Sequence, residues 1–288
     1  MHGTWAVVLS FGSAALLGFG AVVARIGIRY ASARTGASMS VPVTTLCFWL
    51  LSPALLHLDG ASVGATLMFA AVGLFFPASV TLLNFASARR LGPSIASALG
   101  SSTALFSAIF AILLLHERPS VGMLCGTVVI VAGVALITLR TDDRGPGFSK
   151  IWLLMPIAAA VIRAGAQATI KFGLTLWNSP YAATLVSYTV SAALLTVTRP
   201  PAPEASSHDK GRAFAWFTLA GFCNGFAVLT TYAALSFAPM TLVAPLTTTA
   251  PLFAVVGSAL ILHEEHFDRR LLVGVLLTVI GAALLVAH

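Results

Sequence analysis

Arg163, Gln167 and Lys171 recur every fourth residue inside one apolar stretch, so on a helix they share a face. Arg163 falls near the middle of the apolar run 151–171. An Arg or Lys at the centre of a membrane span costs about 2.5–3.5 kcal/mol on insertion scales, which argues against a lipid-facing stripe and for a wet cavity. No Asp or Glu lies inside any apolar run; Asp59, Glu117, Glu264 and Glu265 all sit at run ends. Arg163 is therefore expected to attract an anionic substrate group, a carboxylate or phosphate, by charge-assisted hydrogen bonds. The competing explanation is that Arg163 donates to helix-end carbonyls while Lys171 reaches up to the interface.

Other polar groups fall at similar depth. Ser101, Ser102 and Thr103 form one hydroxyl patch and Thr247, Thr248 and Thr249 another. They are suited to bonding substrate, although Ser and Thr also bond their own helix backbone. Asn224, Tyr232, Asn84 and Tyr188 are further candidates, because an amide or phenol without a partner in hydrocarbon is costly. The expected substrate-binding set is Arg163, Gln167, Lys171, Ser102, Thr103, Thr248, Asn224 and Tyr232. Pro77, Pro245 and Pro251 remove backbone donors from their runs and are expected to kink them. His116-Glu117 and His263-Glu264 sit in connections, where each Glu is read as a partner for the N-terminus of the helix that follows. No Ser or Thr has an intramembrane base at helical spacing, so no catalytic residue, metal site or cofactor is expected, and an intramembrane enzyme is the weaker alternative.

The elements that must position these groups follow from composition. Of 288 residues, 58% are hydrophobic and 9% charged, against about 25% charged in soluble domains. Apolar runs occur at about 5–25, 40–58, 63–86, 93–115, 120–139, 151–171, 180–198, 213–234, 240–262 and 271–287. At about 20 residues per span, these are ten transmembrane helices, with longer loops at 26–39, 140–150 and 199–211. The net charge of +7 is scattered in ones, twos and threes between the runs, a pattern that sets membrane orientation and gives no nucleic-acid surface. Loops after the odd-numbered helices hold Arg29, Arg34, Arg89, Arg90, Arg140, Arg144, Lys150, Arg199, Lys210, Arg212, Arg269 and Arg270, whereas the opposite loops hold only Arg118. The positive-inside rule makes the odd loops cytoplasmic and puts both termini outside the cytoplasmic (inner) membrane. Cys47, Cys125 and Cys223 lie in apolar runs and are not expected to form a disulfide.

Segment 104–117 and segment 251–264 both pass through a Leu-Phe pair and end in His-Glu, 147 residues apart. Trp5 and Trp152, Gly18 and Gly165, Arg25 and Lys171, Pro93 and Pro239, Gly126 and Gly274, and Gly133 and Gly281 keep that offset within a residue. The chain thus reads as two repeats, 1–140 and 141–288. Five helices per repeat is an odd number, so the second copy enters the membrane from the opposite side. The expected fold is all-α and integral to the membrane, ten transmembrane helices as two inverted five-helix repeats, with a binding site near the midplane between them. Gly122, Gly126 and Gly133, with Gly274 and Gly281, form small-residue faces that pack helices inside the bundle or across a homodimer.

The stretch Arg90-Leu-Gly-Pro-Ser-Ile-Ala-Ser-Ala-Leu, then Leu115-His-Glu-Arg-Pro-Ser-Val-Gly-Met-Leu-Cys-Gly and Val131-Ala-Gly-Val-Ala-Leu-Ile, resembles the EamA-type repeat of the drug/metabolite transporter superfamily. Ser236-Phe-Ala-Pro-Met through Gly281-Ala-Ala-Leu-Leu is similar to the same unit. The resemblance implies a ten-helix basket with helices 3, 4, 8 and 9 around a central cavity, exporting amino acids, sugars, nucleotide precursors or drugs. His116 and His263 stand where that repeat usually has Gly. Together the readings point to a secondary transporter of small metabolites, with amino acids or other carboxylate-bearing compounds favoured by helix 6 and drug or organic-cation efflux as the alternative. Its partners are the small-molecule substrate and the bilayer, with no nucleic acid.

Overall fold

A computed structural model describes residues 2–91, 99–138, 150–198, 207–261 and 269–287. Every regular element among them is helical: α1 (His2–Ile28), α2 (Ala33–Leu55), α3 (Val63–Phe75), α4 (Ala78–Leu91), α5 (Thr103–Leu115), α6 (Val121–Thr138), a 3-10 turn (Lys150–Leu153), α7 (Leu154–Leu176), α8 (Pro180–Val197), α9 (Ser207–Phe237), α10 (Met240–Thr247), α11 (Ala250–Ile261) and α12 (Arg269–Ala287). Seven helical stretches are long and apolar enough to cross a membrane, and Thr103–Leu115, Val121–Leu136 and Val273–Ala287 are shorter apolar helices. They make the ten spans, because α3 with α4 form the third and α10 with α11 the ninth. Large apolar side chains such as Leu50, Val63, Leu113, Val197 and Leu260 are exposed. In water this surface would aggregate, whereas in lipid it is the outer wall of an integral membrane protein.

Local chemistry sets the element ends. Ser32, Ser62 and Ser179 accept hydrogen bonds from Thr35 N, Ala65 N and Ala182 N and so cap α2, α3 and α8. The cap at Ser32 shortens the connection expected at 26–39, since α1 continues to Ile28 and α2 already begins at Ala33. Beyond α5, His116 adopts a left-handed conformation with φ of 53°, and Glu117 N donates to Ala111 O at 3.0 Å. That position favours Gly, because a side chain there clashes with the backbone. His116→Gly is expected to raise thermal stability by about 0.5–1 kcal/mol, read as a higher melting temperature in detergent.

The inverted repeat is visible in how the fifth and tenth spans meet. A Cβ on Gly126 would lie 2.8 Å from Gly281 O, and one on Gly133 would lie 2.8 Å from Gly274 O. Gly126 corresponds to Gly274 in the repeat and Gly133 to Gly281, so each glycine touches the equivalent of the other. Such reciprocal contact is what a two-fold axis between antiparallel helices produces. Gly126, Gly133 and Gly281 thus pack inside the chain, backbone against backbone.

The rest of the bundle packs on aromatic anchors. Phe48 of α2 is fully buried and meets Tyr181, Tyr188 and Phe226 edge-on, with ring centroids 6.2, 5.4 and 5.6 Å away. The Tyr181 hydroxyl donates to the Phe48 carbonyl. Tyr181→Phe removes that buried bond and is expected to cost about 1 kcal/mol, measured as a fall in melting temperature. Phe69 of α3 packs on Trp177 at the end of α7. These contacts fill one half of the bundle, the half remote from Arg25, Arg29, Arg34, Arg90 and Arg212.

Candidate functional site

Three spans are interrupted at mid-depth, and the interruptions build a cavity. The third span breaks at Phe76-Pro77, between α3 and α4. The fourth turns at Ser101-Ser102, just before α5, and the ninth at Thr248-Thr249, between α10 and α11. The last two sites are equivalent in the repeat. Pro251 has no N–H for the Thr247 carbonyl four residues earlier, and Pro245 sits one turn before the break. By contrast α9, the partner of the broken third span, runs unbroken from Ser207 to Phe237.

The cavity has a volume of about 310 Å³ and is lined by residues of α1, α4, α5, α7, α8, α9, α10 and α11 with the segments at the breaks. Its wall runs from Arg163, Gln167, Tyr188 and Tyr232 at mid-depth to Arg25, Ile28 and Phe85 near the end of the bundle rich in Arg. Among the described residues no Asp or Glu belongs to the lining. Small residues on α1 and α7, among them Gly20, Ala21, Ala24, Ala159 and Ala160, leave the space open.

Arg163 lines this cavity half-exposed, with its guanidinium carbon 6.0 Å from the centroid of the Phe76 ring. Among the described residues it has no hydrogen-bond or ion-pair partner, and Tyr188 and Tyr232 lie within electrostatic reach of it. Tyr232 is 1% exposed, and its hydroxyl is sealed from solvent beside the Ser187 hydroxyl. Ser187 donates to the carbonyls of Ala183 at 2.7 Å and Thr184 at 3.2 Å, which leaves its lone pairs for the Tyr232 hydroxyl. One turn from Arg163, buried Gln167 accepts at Oε1 from the Ser107 hydroxyl at 3.2 Å. This bond fixes the amide and leaves its Nε2 donors for the cavity that Gln167 lines. Arg163 and Gln167 thus present donors without acceptors to the cavity.

The hydroxyls play the opposite part. Thr103 donates to Gly100 O at 2.7 Å and Thr248 to Pro245 O at 2.7 Å. Both line the cavity with their protons already directed into the helix, so they offer lone pairs. Asn224 also lines it, as do Asn84 and Tyr188.

Of the eight residues expected from the sequence, the fold brings Arg163, Gln167, Thr103, Thr248, Asn224 and Tyr232 together and leaves Ser102 and Lys171 out. Ser102 turns its hydroxyl back to Leu99 O at 2.6 Å, and its neighbour Ser101 lines the cavity instead. Lys171 is two turns beyond Arg163, about 12 Å along the helix, and donates to Leu235 O at 2.5 Å and Ala238 O at 2.9 Å. Helix-end carbonyls therefore hold Lys171, the arrangement weighed above for Arg163. Glu117 also differs from expectation. Ser120 caps the following helix α6 through Met123 N at 3.2 Å, and Glu117 instead reaches Met240 N at 2.7 Å and Thr241 N at 3.0 Å at the start of α10. His263 and Glu264 lie outside the described residues. Phe76 lines the cavity, while Trp49 and Phe75 are exposed on the outer wall.

Arg25, which the sequence shows only as the repeat partner of Lys171, and Thr81 and Thr231, which it does not single out, all line the cavity. A signal existed for Arg25. Leu17, Gly20, Ala21, Ala24 and Ile28 follow helical spacing around it, and the repeat pairs it with Lys171. Among the described residues no group of three or more His, Cys, Asp or Glu side chains is placed to hold a metal ion.

Comparison with known proteins agrees with this architecture. The profile described as the EamA-like transporter family matches twice, over residues 4–139 and 150–287. No curated protein matches the sequence. A solved structure titled only as the crystal structure of a protein superposes with a TM-score of 0.73 at 16% identity, over 97% of this chain and 95% of its own. At that identity the likeness speaks for the fold alone. The family match spans nearly all of the chain, and with the ten-span inverted architecture it makes this protein a multi-pass membrane transporter of small molecules, a member of the EamA-like transporter family.

Proposed function

We propose that this chain is a secondary carrier of carboxylate-bearing metabolites, amino acids foremost, working by alternating access in the cytoplasmic membrane. The observation that carries the reading is Arg163, a cation that among the described residues has no hydrogen-bond or ion-pair partner and no carboxylate beside it in the cavity lining. Its guanidinium fork matches the two oxygens of a carboxylate. Gln167 Nε2 adds donors beside the same anion. The hydroxyl lone pairs of Thr103 and Thr248 suit an ammonium, which favours a zwitterion over a simple organic acid. An organic cation would be repelled by Arg163 and would find no acidic side chain among the described residues of this lining.

Orientation follows the Lys and Arg distribution, with odd-numbered loops in the cytoplasm and both termini outside. In that frame the cavity wall belongs to the middle and cytoplasmic half of the bundle. The test is counterflow in liposomes with labelled L-leucine, L-phenylalanine, succinate and tetraphenylphosphonium. Flux of a carboxylate compound supports the reading, and flux of tetraphenylphosphonium alone rejects it. For the carboxylate carried, Ser107→Ala frees the Gln167 amide to turn away and is expected to raise the half-saturation concentration about 5-fold, the equivalent of one ordinary hydrogen bond. Ser107→Thr should restore it.

A further inference from the structure

At the end of the bundle remote from Arg25 and Arg90, the corner between α9 and α10 is held by two charged side chains that belong to neither helix. Glu117, from the link after α5, receives Met240 N at 2.7 Å on Oε1, and Thr241 N at 3.0 Å and Thr241 Oγ1 at 2.9 Å on Oε2. Lys171, from α7, donates to the Leu235 and Ala238 carbonyls that close α9. A carboxylate at a helix start and an ammonium at a helix end each match the sign of the local dipole. The two charges also lie within electrostatic reach of one another.

The source of the cap is informative. Pro239 stands at the N-cap position of α10 and provides no side-chain hydrogen bond. A local Ser or Asp would satisfy the exposed N–H groups in any arrangement of the repeats. Glu117 lies 123 residues away from Met240, in the other repeat. The start of α10 is therefore satisfied only while the two repeats are closed together at this end. α10 itself is eight residues long, and its other end is the Thr248-Thr249 break beside the cavity. It is a short rigid piece with a hinge at the site and a charged clamp at the surface.

We propose that Glu117 and Lys171 form a latch that closes this end of the cavity, and that opening the site to the opposite side of the membrane requires their release. The proposal rests on the carrier reading above. It is tested without substrate, in detergent, where both ends of the protein meet the same reagent. Cys47, Cys125 and Cys223 are replaced by Ala, and single reporters are introduced as Ala244→Cys, fully buried on α10, or Ala24→Cys, in the cavity wall. Glu117→Gln and Lys171→Met are expected to raise the maleimide reaction rate at the Ala244 reporter about 5-fold or more and to lower it at the Ala24 reporter, because the two openings exclude each other. Glu117→Asp, which keeps the charge on a shorter arm, should fall between Glu and Gln. Unchanged rates, or a rise at both reporters that signals general loosening, overturn the latch. So does a rise at the Ala244 reporter alone. Flat labelling with flux lost in Arg163→Ala rejects the latch and keeps the carrier. The expected labelling with flux indifferent to Arg163 keeps the latch and rejects the anion site.

Discussion

Arg163→Ala is expected to cut counterflow of a carboxylate substrate 10-fold to 100-fold while leaving the protein as stable as before. The two halves of this outcome have different causes. Removing a charge-assisted partner of a carboxylate costs about 1.5–3 kcal/mol of binding, which falls on the substrate complex. The free protein loses a cation that has no acceptor among the described residues, so no hydrogen bond or ion pair of the empty state is broken. A purely structural arginine would show the reverse, with melting temperature falling alongside flux. Arg163→Lys keeps the charge but loses the planar fork, so flux should lie between wild type and Ala. Flux unchanged in Arg163→Ala would remove the anion site and with it the substrate class.

Gly133→Val should produce the largest loss of stability in the chain. A Cβ at Gly133 would stand 2.6 Å from Thr278 Oγ1, 2.7 Å from Thr278 N and 2.8 Å from Gly274 O. Backbone atoms cannot rotate away, so α6 and α12 must separate. Overpacking of this kind costs about 1–3 kcal/mol even where side chains relax, and here the contact joins one repeat to the other. Thermal melting in detergent is the measurement, and Gly281→Val, at the equivalent position, should behave alike. If neither variant moves the transition, the glycine faces do not pack on each other within the chain. They would then be available to a second copy.

The repeat was legible because its landmarks serve packing and helix ends, which tolerate few residue types. Gly126, Gly133, Gly274 and Gly281 allow backbones to touch, and the chain shows them at one offset. The breaks in the fourth and ninth spans were partly legible, since Pro245 and Pro251 announce the ninth, whereas Ser101-Ser102 has no proline and is revealed by its equivalence to Thr248-Thr249. Lys171 and Arg163 were indistinguishable on a helical wheel. They share a face and a charge, yet two turns separate them, and the cavity ends in between. Ser102 and Ser101 differ by one position, about 100° of helix rotation, enough to exchange wall for backbone.

By itself the sequence determined that this chain lives in a bilayer, crosses it ten times, and does so as two copies of opposite orientation. Those conclusions need only hydrophobicity, span length and the parity of five, all of which are local or additive properties of the chain. Tertiary structure alone decided which polar groups are left open. Glu117 meets Met240 across 123 residues, Lys171 finds the end of α9, and Arg163 finds no partner among the described residues. Whether a charged group is satisfied depends on what the fold brings within about 3 Å of it, and no periodicity in the sequence encodes that distance.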